Sequence, residues 1–223
     1  MPSIEERLEA VLAAPIGDIV SREHQALPPA AAIREWDVPP ADRQALSRWG
    51  LPVDLLMTPD FQTVSEPVLT PNVAGDIEGR LITADQRLYR LGRWGSHELT
   101  PIMGAVAGTG RVLGLRKAPL TTEDLHPDLR DHYAGYYGPS VIFINSTVSC
   151  LVELAWRWRA AVRLLRELDE QEPVDARSLE EYEAHFDRIQ RCERAVIRAA
   201  AIIDPAIDPD DPGNTWVELI TDL

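Results

Sequence analysis

The spacing of apolar positions changes along this chain, and each change predicts a different kind of element. Ser3 followed by Glu6 makes a capping box, which predicts a short helix over residues 4–13. "ALPPAAAIREWDVPPA" then reads as a proline-interrupted connector. Asp42 is placed to cap a second short helix, "RQALSRW", which stops at Gly50-Leu51-Pro52. Glycine suits the position just past a helix, and proline cannot continue one.

From about residue 60 to 117 the pattern is that of strands. "RLITADQRLYRLG" reads as two short strands about a polar turn. "ELTPIMGAVAGTGRVLGLRK" reads as a hairpin turning at Gly108-Thr109-Gly110. Residues 118–139 are loop-like, with Pro119, Pro127, Gly135, Gly138 and Pro139. "VIFI" is apolar at successive positions, as a strand covered on both faces would be, and predicts a central strand.

After that run the period becomes helical. Leu151, Leu154, Trp158, Ala161, Leu165 and Leu168 recur at three- and four-residue spacing, with Glu153, Arg157, Arg163 and Glu167 between them. "EPVDAR" interrupts the stripe. Ser178 with Glu181 makes a second capping box, opening a stripe that runs from Tyr182 and Phe186 through Ile189 and Val196 to Ile203. The two helices predict an antiparallel hairpin. The acidic, proline-rich tail "DPAIDPDDPGNTWVELITDL" ends in an apolar segment around Trp216 that the pattern does not assign to helix or strand.

Consecutive strands followed by consecutive helices define an α+β class: short N-terminal helices, a central mainly antiparallel sheet, and two long C-terminal helices packed against it. A single domain over 1–223 is expected, comprising 1–40 (helix and connector), 41–145 (helix plus sheet) and 146–223 (helical hairpin and acidic tail).

Charge narrows the function. The net charge of −14, with Lys117 the only lysine, opposes nucleic-acid binding, which needs clustered bases. It would instead steer association with a basic partner. No apolar run approaches the roughly 18–20 residues that a membrane helix requires. The acidic start "MPSIEERLEAVL" is unlike a secretory signal, so a cytoplasmic protein without membrane partners is expected. Cys150 and Cys192 then read as reduced, small apolar packing residues.

The chemical motifs were weighed against plain architecture. "GTGRVLG" lies between strands, not between a strand and a helix, so it is a hairpin turn and not a phosphate loop. "TTEDLHPDLRDHY" gathers Glu123, Asp124, His126, Asp128, Asp131 and His132, which as a metal site would support a metal-dependent enzyme; a solvated loop is the plainer reading. Prolines among Asp204, Asp208, Asp210 and Asp211 break the order of a calcium loop. Ser146 follows a strand, but Ile144 and Val148 occupy the positions where a nucleophile elbow has glycines. Asn145-Ser146-Thr147 therefore reads as a helix cap. The expectation is no catalytic residue, no cofactor and no enzyme activity.

Several ordered pieces resemble one family. "WGLP" at 49–52, Leu91-Gly92 after a strand, the hairpin "PIMGAVAGTGRVLGL", "FINSTV" at 143–148, "AIIDPAI" and Trp216 are together similar to the SUKH superfamily, nearest to SUKH family four. "PIMGAVAG" lacks the Asp that relatives often carry there. The resemblance implies an immunity protein that binds and neutralises a cognate toxin, commonly a nuclease or nucleic-acid deaminase, by covering its active groove. A regulatory scaffold of the same superfamily is the alternative it leaves open. Interface anchors are typically aromatic within a charged rim, which singles out Trp94, Tyr136 and Tyr137 with Asp208, Asp210 and Asp211.

Overall fold

The computed structural model describes residues 2–54, 56–97, 100–170 and 179–222. The chain begins with α1 (Ile4–Ala13), α2 (Ile16–Ile19), β1 (Gln25–Ala26), α3 (Ala30–Glu35) and α4 (Pro40–Trp49). Then come β2 (Leu51–Pro52), β3 (Met57–Pro59), α5 (Asp76–Gly79), β4 (Leu88–Trp94), β5 (Ile102–Val106) and β6 (Val112–Leu115). β7 (Leu120–Thr121), β8 (Tyr137–Gly138), β9 (Val141–Asn145), α6 (Val148–Asp169), α7 (Leu179–Ile203) and α8 (Thr215–Thr221) complete it. These elements form two compact units, His24–Ser149 and Met1–Glu23 with Cys150–Leu223. The class is α+β, as the order of strands and helices predicts.

The His24–Ser149 unit is built on a five-stranded antiparallel sheet in the order β3-β4-β5-β6-β9. β5 and β6 form the expected hairpin, Ile102 pairing with Leu115 and Ala105 with Val112. Its turn closes when the Gly110 N–H donates to the Val106 carbonyl at 2.8 Å. Gly110 has φ of +71°, and a Cβ there would lie 1.9 Å from Asp42 Oδ2, so only glycine fits. The apolar core of the sheet gathers Ile82, Leu88, Val106, Leu113, Leu115 and Val141.

Five local expectations are corrected within this unit. Residues 80–83 are not a strand: α5 turns the chain, and the Ile82 N–H donates to the Glu78 carbonyl at 3.0 Å. Ile82 still reaches the core from that turn, so its apolarity was legible and its geometry was not. The connector holds α3, where Pro28-Pro29 end and three alanines begin. β9 is an edge strand, not a central one, because an apolar run records that both faces are covered and says nothing of how many strands flank it. Leu91-Gly92 lies inside β4, where the pairing with β5 is bulged.

Asp42 is the fifth correction. α4 begins three residues earlier than predicted, at Pro40, which puts Asp42 in its first turn instead of at its cap. The side chain is buried and serves a different helix: its Oδ1 accepts the Ser149 N–H at 2.9 Å, in the first turn of α6. A carboxylate there satisfies a free donor and meets the positive end of a 22-residue helix.

The other unit is helical. The predicted box over Ser3 and Glu6 is present at 3.1 and 2.8 Å. Arg7 forks onto both oxygens of Glu167 at 2.7 and 2.9 Å, and Arg188 donates to Glu5 at 2.8 Å, fastening α1 to α6 and α7. Arg157 pairs with Glu153 and donates to the carbonyls of Val11, Leu12 and Ala14 at the C-terminal end of α1, where the helix runs out of its own N–H donors. The Cys150 thiol donates to the Ile203 carbonyl at 3.4 Å, so the start of α6 meets the end of α7, as an antiparallel hairpin requires. Neither Cys150 nor Cys192 is in a disulfide among the described residues. The predicted box at Ser178 lies outside the described residues. The segment around Trp216 is helix α8, capped by Asn214, whose Oδ1 accepts the Trp216 N–H at 3.0 Å.

Candidate functional site

The segment from Leu120 to Ser140 combines backbone order with exposed aromatic side chains. β7 and β8 hold its two ends, pairing Leu120 with Gly138 and Thr121 with Tyr137. Asp124 Oδ2 accepts the Thr121 N–H at 2.7 Å and its hydroxyl at 3.0 Å. Those hydrogen bonds hold the Asp124 carboxyl below its ordinary range. Thr122 Oγ1 donates to the Tyr133 carbonyl at 2.8 Å and accepts the Tyr136 N–H at 3.0 Å. Arg130 spends its guanidinium on the carbonyls of Leu125 and Glu123, at 3.1 and 2.8 Å. The loop is thereby tied across its own width.

Beneath its C-terminal end lies Glu78, fully buried. Its Oε1 accepts the Tyr137 hydroxyl at 2.8 Å and the Ser140 N–H at 3.0 Å. Ser140 Oγ stands 3.1 Å from the same oxygen and 2.6 Å from the Asn72 carbonyl, its single proton serving one acceptor at a time. Burial opposes ionisation of Glu78, but the bonds from Tyr137 and Ser140 outweigh it and hold the carboxyl at about 2. The same bond pushes the Tyr137 hydroxyl above its ordinary value.

The residues singled out from sequence fall in different settings. Trp94 ends β4, half-buried, with its N–H donating to the Pro101 carbonyl at 2.9 Å. Tyr136 and Tyr137 sit side by side in the chain, but Tyr136 packs edge-on against Tyr133 while Tyr137 turns its hydroxyl to Glu78. Asp208, Asp210 and Asp211 belong to the helical unit and are exposed. Asp208 and Asp211 each accept a backbone N–H two residues ahead, from Asp210 and Gly213, at 3.0 and 2.9 Å. Buried Asp204 does the same for Ala206.

The acidic and histidine residues at 123–132 do not converge. Asp124 is committed to Thr121, and His126 Nδ1 accepts the Asp128 N–H at 3.4 Å, both side chains open to water. Among the described residues no three His, Cys, Asp or Glu side chains gather as a metal ion requires. Sequence reasoning missed Glu78, because an isolated Glu in a helical turn reads as a solvated charge. It also passed over Tyr133, although "YAGYYG" clusters three tyrosines around a glycine.

Sheet, helical hairpin and tied aromatic loop define a mixed α+β protein. The chain belongs to the SUKH-4 immunity protein family, whose model matches residues 13–222. No curated protein and no solved structure matches it. The "WGLP" and "FINSTV" pieces fall where the resemblance requires, at the end of α4 and the passage from β9 into α6. No helix among the described residues is long and apolar enough to cross a membrane.

Proposed function

We propose that this protein neutralises a toxin domain made in the same cytoplasm, one molecule covering the active groove of one toxin, without turnover of its own. The family match over residues 13–222 supports the immunity role. The observation that carries the finer reading is the net charge of −14, which favours a toxin that acts on nucleic acid. An enzyme that grips a phosphate backbone lines its groove with Lys and Arg. An acidic blocker is drawn to that groove, and the same charge keeps it off the substrate. The partner-facing aromatic residues proposed on this reading are Trp94, Tyr136 and Tyr137, all in the His24–Ser149 unit.

The test is co-expression with the C-terminal domain of the large protein encoded beside this chain. That domain alone is expected to stop growth, and growth is expected to return when the two are made at equal level. Continued killing in the presence of folded, equally abundant protein contradicts the reading for that pair.

A further inference from the structure

The pairing of Leu120 with Gly138 leaves a gap that one tyrosine fills. A Cβ on Gly138 would stand 2.9 Å from the Tyr136 hydroxyl oxygen and 3.3 Å from Leu120 Cβ. The Tyr136 ring therefore lies over Gly138 beside Leu120, in space that any side chain at 138 would claim. Tyr133 meets Tyr136 edge-on, with ring centroids 6.3 Å apart and planes at 79°. Leu120, Tyr133 and Tyr136 thus make a continuous ridge, 37%, 53% and 40% exposed.

Two physical features set this ridge apart from ordinary surface. Large rings stabilise a fold by being buried, and these are held half in water by a backbone that the Thr122, Asp124 and Arg130 bonds have already ordered. A partner docking here meets little of the entropy cost of ordering a loop. The segment that carries the ridge is itself predominantly acidic. Residues 120–138 carry Glu123, Asp124, Asp128 and Asp131 against the single guanidinium of Arg130, which is spent on carbonyls of its own loop.

We infer that the ridge of Leu120, Tyr133 and Tyr136 is where this chain docks its partner, and that the occupant is a protein face bearing Arg and Lys. The inference rests on the immunity reading and names the surface within it. Tyrosine faces attract guanidinium and ammonium groups, while the flanking carboxylates set the register of a basic partner. Tyr137 becomes a positioning residue, anchoring β8 through Glu78. The charged rim moves from Asp208, Asp210 and Asp211 to Asp128 and Asp131 beside the aromatic pair.

The experiment uses the full chain and the neighbouring toxin domain, inactivated in its own catalytic site, with affinity read by calorimetric titration and folding by thermal unfolding. Tyr133→Ala with Tyr136→Ala is expected to weaken binding about 30-fold or more, as loss of a hot spot does. Gly138→Ala changes no charge but displaces Tyr136, and is expected to weaken binding about 10-fold with little change in unfolding temperature. Asp128→Asn with Asp131→Asn is expected to flatten the dependence of affinity on salt, while Asp208→Asn, Asp210→Asn and Asp211→Asn together leave affinity within about 2-fold. The assignment is overturned if folded Tyr133→Ala, Tyr136→Ala protein binds within about 3-fold of wild type. Should that variant not fold, Gly138→Ala and the Asp128, Asp131 pair decide by the same threshold. Failure of the wild-type chain to bind removes the immunity reading for that pair; wild-type binding with unaffected ridge variants removes the docking surface alone.

Discussion

At the scale of single residues, Gly110 and Asp42 show how a position without a side chain makes room for a buried carboxylate. Gly110 and Asp42 fit only each other. An alanine at 110 must both adopt a left-handed backbone and displace Asp42 Oδ2. Gly135 offers the comparison, with φ of +78° and nothing within 4 Å of an added Cβ. Gly135→Ala is expected to cost about 1–2 kcal/mol by chemical denaturation, the left-handed penalty alone. Gly110→Ala is expected to cost clearly more, and equal losses would show that Asp42 yields freely. Glu78 makes the pH prediction. Its folded-state carboxyl titrates at about 2 against an ordinary 4.5, so the ionised form stabilises the fold above pH 4.5. That contribution is lost as pH falls from 4.5 through 2. Glu78→Gln should therefore lower stability at pH 7 and flatten its dependence on pH across that window. A variant as pH-sensitive as wild type there would assign the acid response to other carboxylates, of which Glu5, held at about 2 by Arg188, is the foremost.

At the scale of elements, what could be read from sequence was whatever depends on neighbours in sequence. The Ser3–Glu6 box, the Gly108–Gly110 hairpin and the helical stripe of α6 are local patterns, and each was legible. The stripe of α7 holds only in its second half, where Val196, Ile197 and Ala200 are buried, while Tyr182 and Phe186 are exposed and His185 is buried instead. Asp42 was misread because its partner, Ser149, lies 107 residues away, and a buried carboxylate serving a distant helix leaves no nearby signature. β9 was placed at the centre of the sheet because its apolarity reports covered faces, while its position at an edge is a matter of topology. The inferred docking ridge was half legible: Tyr136 stood out, but its packing over Gly138 and against Tyr133 depends on the β7–β8 pairing across a 15-residue excursion. The helical unit supplies its own test. Arg157 ties the open end of α1 to α6 through three carbonyls and Glu153, with its side chain 11% exposed. Arg157→Ala should destabilise by about 2–3 kcal/mol, and Arg157→Lys should recover little of it, since an ammonium cannot fork across carbonyls and a carboxylate together. Unchanged unfolding in Arg157→Ala would mean that apolar packing alone holds α1.

At the scale of the whole molecule, charge and shape divide the work. On the proposed reading, the net charge of −14 acts at a distance to set how fast a basic partner arrives, while the inferred ridge sets how long it stays. These roles separate by salt. Raising ionic strength should slow association strongly and leave dissociation nearly constant, measured by stopped-flow with the inactivated toxin domain. A salt effect confined to dissociation would assign the charge to the bound interface instead of to steering. Membership of the SUKH-4 immunity protein family makes neutralisation the central claim, and it has one direct measurement. The active toxin domain is assayed on its own substrate while purified protein is titrated in. The account predicts a linear fall in activity that ends at one molecule of this protein per toxin. Full activity with the protein in large excess would contradict it.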